Sequence, residues 1–264
     1  MRGAKPLGPL PELGPLSFCW MFPFVRLTFD LAFSWLAFSV TAFCADYQIE
    51  ANIRYGQYAE NVLDIIQSPA PALKNRPGVI VIHGDGAKER TVEQFCVPLV
   101  QHEFVVANLE YRSPISSDAK AAVNDVLEAA QWFHKHAARF KVDPDQILVL
   151  GESTGAYLAL MLGMTPASAD LGPVTKISAV INFYGVTDVA GLSPIAYVRR
   201  GLPPTLTIDG DDQSVRLTKA LKEADADAEL IIVPGSEHGV DPGEMTKLWP
   251  QIFKWLRKRK IGSP

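Results

Sequence analysis

The sequence predicts a doubly wound α/β domain, a mostly parallel sheet flanked by helices with a minimal lid or none. Three observations carry that expectation. Short β-branched runs such as Gly78-Val-Ile-Val-Ile82 have the continuous apolar character of strands buried on both faces. Between these runs lie stretches of helical period, and strands alternating with helices of this length imply parallel crossovers that cover both faces of a sheet. Composition agrees: 48% of the 264 residues are hydrophobic and 20% charged, which excludes a disordered chain, and the formal net charge of −4 argues against a nucleic-acid partner.

The first 45 residues stand apart from that domain. Residues 1–20 are broken by Pro and Gly and have no regular period. Then come Met21, Arg26 and an apolar run over Leu27 to Phe43, ending in Ala42-Phe43-Cys44-Ala45-Asp46. Ala42 and Cys44 are small residues at the minus-three and minus-one positions of signal-peptidase cleavage, so a signal peptide is expected over about residues 21–45 with cleavage near Ala45 or Asp46. The expected destination is the periplasm or the medium, with no stable membrane partner after cleavage. An N-terminal membrane anchor is the alternative, but the run contains Asp30 and is shorter than the roughly 20 residues that span a bilayer core. The leader carries Arg2, Lys5 and Arg26 against Glu12 and Asp30, so residues 46–264 hold 22 basic and 27 acidic side chains, net −5. With Cys19 and Cys44 gone, Cys96 is the remaining thiol, which leaves neither a disulfide scaffold nor a cysteine metal site.

From Asp46 the elements follow in order. Tyr47 to Tyr55 and Val62 to Ile66 read as two strands joined by a short turn. Gly78 to Ile82, Phe104 to Leu109, Ile147 to Leu150, Ile177 to Phe183, Thr205 to Ile208 and Leu230 to Val233 read as buried strands. Asp118 to Phe140 is the clearest helix, with Val123, Val126, Leu127, Ala130, Phe133 and Ala137 on one face. Cys96 sits in an apolar helix pattern and reads as core. His134 and His136, two apart on a helix, face different ways and do not form a metal pair. Arg257 to Lys260 ends an amphipathic helix, where cations suit the dipole.

In such sheets chemistry collects where strands end and helices begin. Gly151-Glu152-Ser153-Thr154-Gly155 lies after the strand Ile147 to Leu150 and before the apolar stretch Ala156 to Leu162. A serine on so tight a strand-to-helix turn is forced outward, and flanking glycines let the strained backbone pass its neighbours. The Thr154 N–H and the helix N-terminus then point to where a tetrahedral oxyanion would form. The bland alternative is a helix-capping serine in a glycine-rich turn. His83-Gly84-Asp85-Gly86 follows the strand ending at Ile82; Asp85 and Gly86 are candidate oxyanion donors, and His83 and Gly84 candidate supports of their loop. Pro234 to Gly239 follows the strand Leu230 to Val233 and contains His238, the candidate general base.

The stretches VIVIHGDG, FVVANLEYR, VLGESTGAYLALMLGMTPASA, VINFYGVTDV, YVRRGLPPTLTIDGDD and VPGSEHG, running from about Pro77 to Gly239, resemble an α/β-hydrolase. The closer likeness is to the bacterial feruloyl and acetyl esterase-like (BD-FAE-like) branch near the dienelactone-hydrolase and prolyl-oligopeptidase families. The resemblance implies nucleophile Ser153, base His238 and an acid on the loop after Thr205 to Ile208. It also implies a serine carboxylic-ester hydrolase that acts on small acyl esters, acetyl or feruloyl esters of carbohydrates among them, with neither metal nor organic cofactor.

Three departures from the family pattern matter. The acid loop reads Asp209-Gly210-Asp211-Asp212-Gln213 and runs straight into a helix, so Asp212 is the first choice of acid, Asp211 the second, Asp209 the third and Asp188 a further candidate. Asp85 stands where relatives have a glycine, and a carboxylate 4 Å from a developing oxyanion would cost about 4 kcal/mol at an effective dielectric near 20. Gly191 to Tyr197 is short where relatives carry an insertion, which predicts an open site. These departures motivate one alternative, a catalytically impaired hydrolase fold kept for binding. A prolyl-oligopeptidase-like peptidase is the other, although the chain has no room for the gating domain of those enzymes.

Overall fold

The computed structural model describes residues 47–262, apart from residues 71, 73, 85–90, 114–117, 190 and 234–238. The expected leader and cleavage site, Asp85, Gly86 and His238 therefore lie outside the described residues. Eight strands form one sheet: β1 (Gln48–Arg54), β2 (Val62–Gln67), β3 (Arg76–Ile82), β4 (Val105–Leu109), β5 (Val142–Glu152), β6 (Val180–Phe183), β7 (Thr205–Asp209) and β8 (Ala228–Ile232). Their spatial order is β1-β2-β4-β3-β5-β6-β7-β8. β2 pairs antiparallel with β1 and with β4, and every neighbour from β4 to β8 is parallel.

Helices cover both faces because successive strand residues alternate between them. Ile80 and Ile82 join Val149 and Val180 on one face, beneath α2 (Ala119–Lys135), α3 (Thr154–Met164) and α4 (Asp212–Glu223). Val79 and Val81 join Leu148, Leu150 and Ile181 on the other, beneath the short α1 (Val97–Gln101) and α5 (Pro242–Lys258). The doubly wound expectation holds, and Cys96 is core, fully buried just before α1.

Element ends differ from the sequence reading by a few residues, each for a local reason. The long helix stops at Lys135, after which Ala137 to Phe140 tighten into a single 3₁₀ turn and Lys141, at φ +56°, reverses the chain into β5. β5 begins early because Val142 pairs with Arg76 at the foot of β3. β6 begins late: Ile177 to Ala179 are an irregular approach in which the Ser178 N–H donates to Ile147 O. β7 ends at Asp209 and α4 starts at Asp212, so the strand runs almost directly into the helix.

The register aligns the strand ends that matter. Ile82 lies opposite Gly151, Glu152 opposite Phe183, Phe183 opposite Ile208, and Ile208 opposite Ile231. The segments after β3, β5, β6, β7 and β8 thus leave the sheet along one carboxyl edge, the place where open α/β sheets bind ligands.

Candidate active site

Ser153 sits between β5 and α3 at φ +53° and ψ −120°, a conformation that an L-residue adopts only under strain. Its N–H donates to Phe183 O of β6 at 3.0 Å, while its own carbonyl accepts from the N–H groups of Ala156 and Tyr157 and so starts the helix. A capping serine has extended backbone and turns its hydroxyl onto the helix; Ser153 does neither. The capping alternative fails on both counts.

The glycines on either side are dictated by backbone contact. A Cβ on Gly155 would lie 2.1 Å from Ile82 O and 2.5 Å from His83 O, and one on Gly151 would lie 2.1 Å from Gly155 O. Two glycines therefore let the end of β3, the end of β5 and the first turn of α3 touch. α3 is buried along its whole length from Gly155 to Leu162, so its dipole acts in a poorly screened setting at Thr154 and Ser153.

The segment leaving β3 is held by side chains from two other strand ends, one of them braced in turn from a third. The His83 ring places Nδ1 2.6 Å from Gly84 O and Nε2 2.9 Å from Glu110 Oε1, just after β4. Tyr111 stacks on that ring at 5.0 Å and donates its hydroxyl to His83 O at 2.8 Å. Gly84 N–H donates to Glu152 Oε1 at 2.7 Å, and Tyr184, just after β6, donates its hydroxyl to Glu152 Oε2 at 3.2 Å. Gly84 N–H is thereby committed, so an oxyanion would draw its donors from residues further along that loop and from Thr154.

The candidate acids occupy different environments. Asp209 ends β7 buried, accepting from Gly210 N–H at 2.7 Å and from the Ser214 hydroxyl at 2.7 Å. Asp211 caps α4, accepting from Ser214 N–H at 2.8 Å. Asp188 is exposed, accepts from the Ser193 hydroxyl at 3.2 Å and pairs with Arg216 at 3.5 Å. Asp212 is the exposed first residue of α4.

The flank of the site is apolar. Tyr157, four residues after Ser153, donates to Leu192 O at 3.1 Å and so pins the 191–197 stretch, which contains one 3₁₀ turn over Pro194 to Tyr197, against α3. Burial, with nearby Tyr197, pushes the Tyr157 hydroxyl up to about 12. Burial likewise raises the Cys96 thiol far above its ordinary range, which suits core and not a nucleophile. His136 Nδ1 lies 2.7 Å from Trp132 O on its own helix, and among the described residues no cluster of metal-ligating side chains occurs. Glu110, Tyr111, Glu152 and Tyr184 escaped the sequence reading. Their only signal was an acidic residue closing each of two apolar runs, VVANLE and ILVLGE.

Strand order, elbow and carboxyl-edge site together define an α/β-hydrolase. Within that class the chain is similar to the BD-FAE family, whose model matches residues 63–192, a stretch that includes the His83-Gly84 segment and the elbow. The probable carboxylic ester hydrolase LipM of Mycobacterium tuberculosis is 28% identical over 160 residues, covering 56% of this chain and 37% of LipM. Esterase LipQ of the same organism is 25% identical over 240 residues, 72% of this chain and 57% of LipQ. The chain thus spans between a third and three fifths of these relatives. Among solved structures, a truncated carbohydrate esterase from gut microbiota superposes with a TM-score of 0.71 at 22% identity, covering 80% of this chain and 96% of its own. Esterase Est2 of the planctomycete Thermogutta terrifontis, with propionate bound, superposes with a TM-score of 0.70 at 20% identity, covering 82% and 96%. At these identities the superpositions speak for the fold.

Proposed function

We propose that the chain is a serine carboxylic-ester hydrolase acting on small acyl esters. The observation that carries this is the strained Ser153 elbow at the N-terminus of a buried helix, with the His83-Gly84 segment touching it through Gly155. In this reading the Ser153 hydroxyl attacks the ester carbonyl while His238 takes its proton. The N–H groups of Thr154, Asp85 and Gly86 hold the oxyanion, the alcohol leaves protonated by His238, and water then releases the acid by the same steps in reverse. Asp212 is the proposed acid. Asp209, Asp211 and Asp188 are each engaged by local donors, whereas the Asp212 carboxylate makes no hydrogen bond or ion pair among the described residues. Two likenesses support small acyl esters, carbohydrate esters among them: a carbohydrate esterase, and an esterase solved with propionate and with butyrate bound.

The test is turnover of p-nitrophenyl acetate together with labelling by a fluorophosphonate. Wild type is expected to do both, Ser153→Ala neither, and Asp212→Asn is expected to lose on the order of 10⁴ in kcat, as when a triad acid is neutralised. Unlabelled, inactive wild type overturns the enzyme reading; an Asp212→Asn enzyme with full turnover overturns the acid. Export belongs to the same proposal, and N-terminal sequencing of the protein made in its host should begin near Asp46.

A further inference from the structure

Glu152 is a buried carboxylate at the end of β5, 7% exposed, immediately before the nucleophile. A polar side chain at that depth is tolerated only where hydrogen bonds replace water. Two do: Gly84 N–H at 2.7 Å and the Tyr184 hydroxyl at 3.2 Å. The donors belong to the segments that leave β3 and β6, so one side chain ties both to the strand that carries Ser153. The fit against Gly84 is tight, since a Cβ there would stand 2.7 Å from Glu152 Oε1 and 3.0 Å from the carboxylate carbon. Tyr184 is itself held at φ +45°, unusual for an aromatic residue and beside Phe183, whose carbonyl accepts the Ser153 N–H.

We propose that Glu152 is a positioning residue for the oxyanion loop. Its hydrogen bond to Gly84 N–H fixes where the chain departs from β3, and hence how the oxyanion loop is set relative to Ser153. Three features agree with this assignment. The bond joins two strand ends that have no covalent link nearby, 68 residues apart in sequence. It engages the Gly84 amide, so that amide serves as an anchor and not as an oxyanion donor. And residue 152 is rigidly coupled to residue 153 by the peptide bond, so a shift of the loop is a shift measured from the nucleophile itself. A loop displaced by about 1 Å costs on the order of 10² in rate.

The proposal rests on the ester-hydrolase reading, and the experiment separates the two. The full chain is assayed with p-nitrophenyl acetate as wild type, Ser153→Ala, Glu152→Gln, Glu152→Ala and Glu152→Met, with thermal midpoints measured for each. Glu152→Ala is expected to lose about 10² in kcat with KM changed less than about threefold. Glu152→Gln keeps an acceptor for Gly84 N–H and an amide that can donate to the Tyr184 oxygen, so it should recover to within about tenfold of wild type. If Glu152→Ala does not fold, Glu152→Met fills the same volume without an acceptor oxygen and should show the same kcat loss. Amide exchange at Gly84 should rise in Glu152→Met and stay protected in Glu152→Gln. A Met variant within threefold of wild type, or a Gln variant no better than Met, overturns the positioning role. A wild type lacking Ser153-dependent turnover overturns the function instead, and the exchange measurement then still reads the anchor.

Discussion

Replacing Ser153 by Gly and, separately, by Ala measures how much strain the elbow stores. Both variants remove the hydroxyl, so both should lack turnover, and their difference in stability isolates the backbone. At φ +53° and ψ −120° a residue with a Cβ carries about 1–3 kcal/mol of strain, which Ala retains and Gly relieves. Against this, Gly gains conformational freedom on unfolding, worth about 0.5–1 kcal/mol. The structure adds no other term, because the backbone bonds of residue 153, to Phe183 O and from Ala156 and Tyr157, are open to either residue. The Gly variant should therefore be more stable than the Ala variant by about 1 kcal/mol, equivalent to about 2–4 °C in Tm for a domain of this size. Urea unfolding followed by circular dichroism gives the same quantity as a midpoint difference of about 0.3–1 M, for slopes of about 1–3 kcal/mol/M. A Gly variant no more stable than Ala, with equal slopes, refutes the claim that the elbow is strained. It would also remove the main reason for reading Ser153 as a nucleophile.

Three further outcomes follow from the same geometry. Gly155→Ala places a Cβ about 1 Å too close to two carbonyl oxygens at the end of β3, so despite the better helix propensity of Ala it should cost about 1–3 kcal/mol and about 10² in kcat; thermal melts and ester assays check it. Asp125 is fully buried and takes Nη2, Nε and the backbone N–H of Arg112 at 2.6, 2.9 and 2.9 Å. Asp125→Ala should therefore cost about 3–5 kcal/mol in urea unfolding, more than the paired replacement Arg112→Met with Asp125→Leu. Burial holds the Tyr55 hydroxyl above its ordinary range, with nearby Asp125 adding to the effect, and holds that of Tyr157 near 12. Above pH 10 the unfolded chain releases phenolic protons that the folded chain keeps, so stability falls as pH rises from 10 to 12; unfolding midpoints for Tyr55→Phe should fall less steeply over that range.

Much of the site was legible along the chain because its signals are local. A glycine, a residue, a serine, a residue and a glycine between an apolar run and a helical run mark an elbow, and the contact distances at Gly151 and Gly155 give the steric reason for that spelling. The acid was less legible. Asp209, Asp211 and Asp212 are adjacent in sequence and chemically identical, and what separates them is three-dimensional: one is buried against Ser214, one caps a helix, one faces solvent. Glu152 was not legible as more than a spacer within the motif. Its partner Gly84 is a backbone amide on another strand, and nothing in composition or period reports such a contact.

The sequence by itself determined the doubly wound class, the run of strands and helices, and the residue at the elbow. Those properties depend on hydrophobic period and on backbone sterics, which act over a few residues. The tertiary structure decided which strand ends share the carboxyl edge, which of several carboxylates are already engaged, and that the Gly84 amide is bound to Glu152. The physical reason is that these outcomes turn on hydrogen bonds between segments tens of residues apart. Parallel register aligns those segments, and burial leaves each polar group only the partners that the fold brings to it.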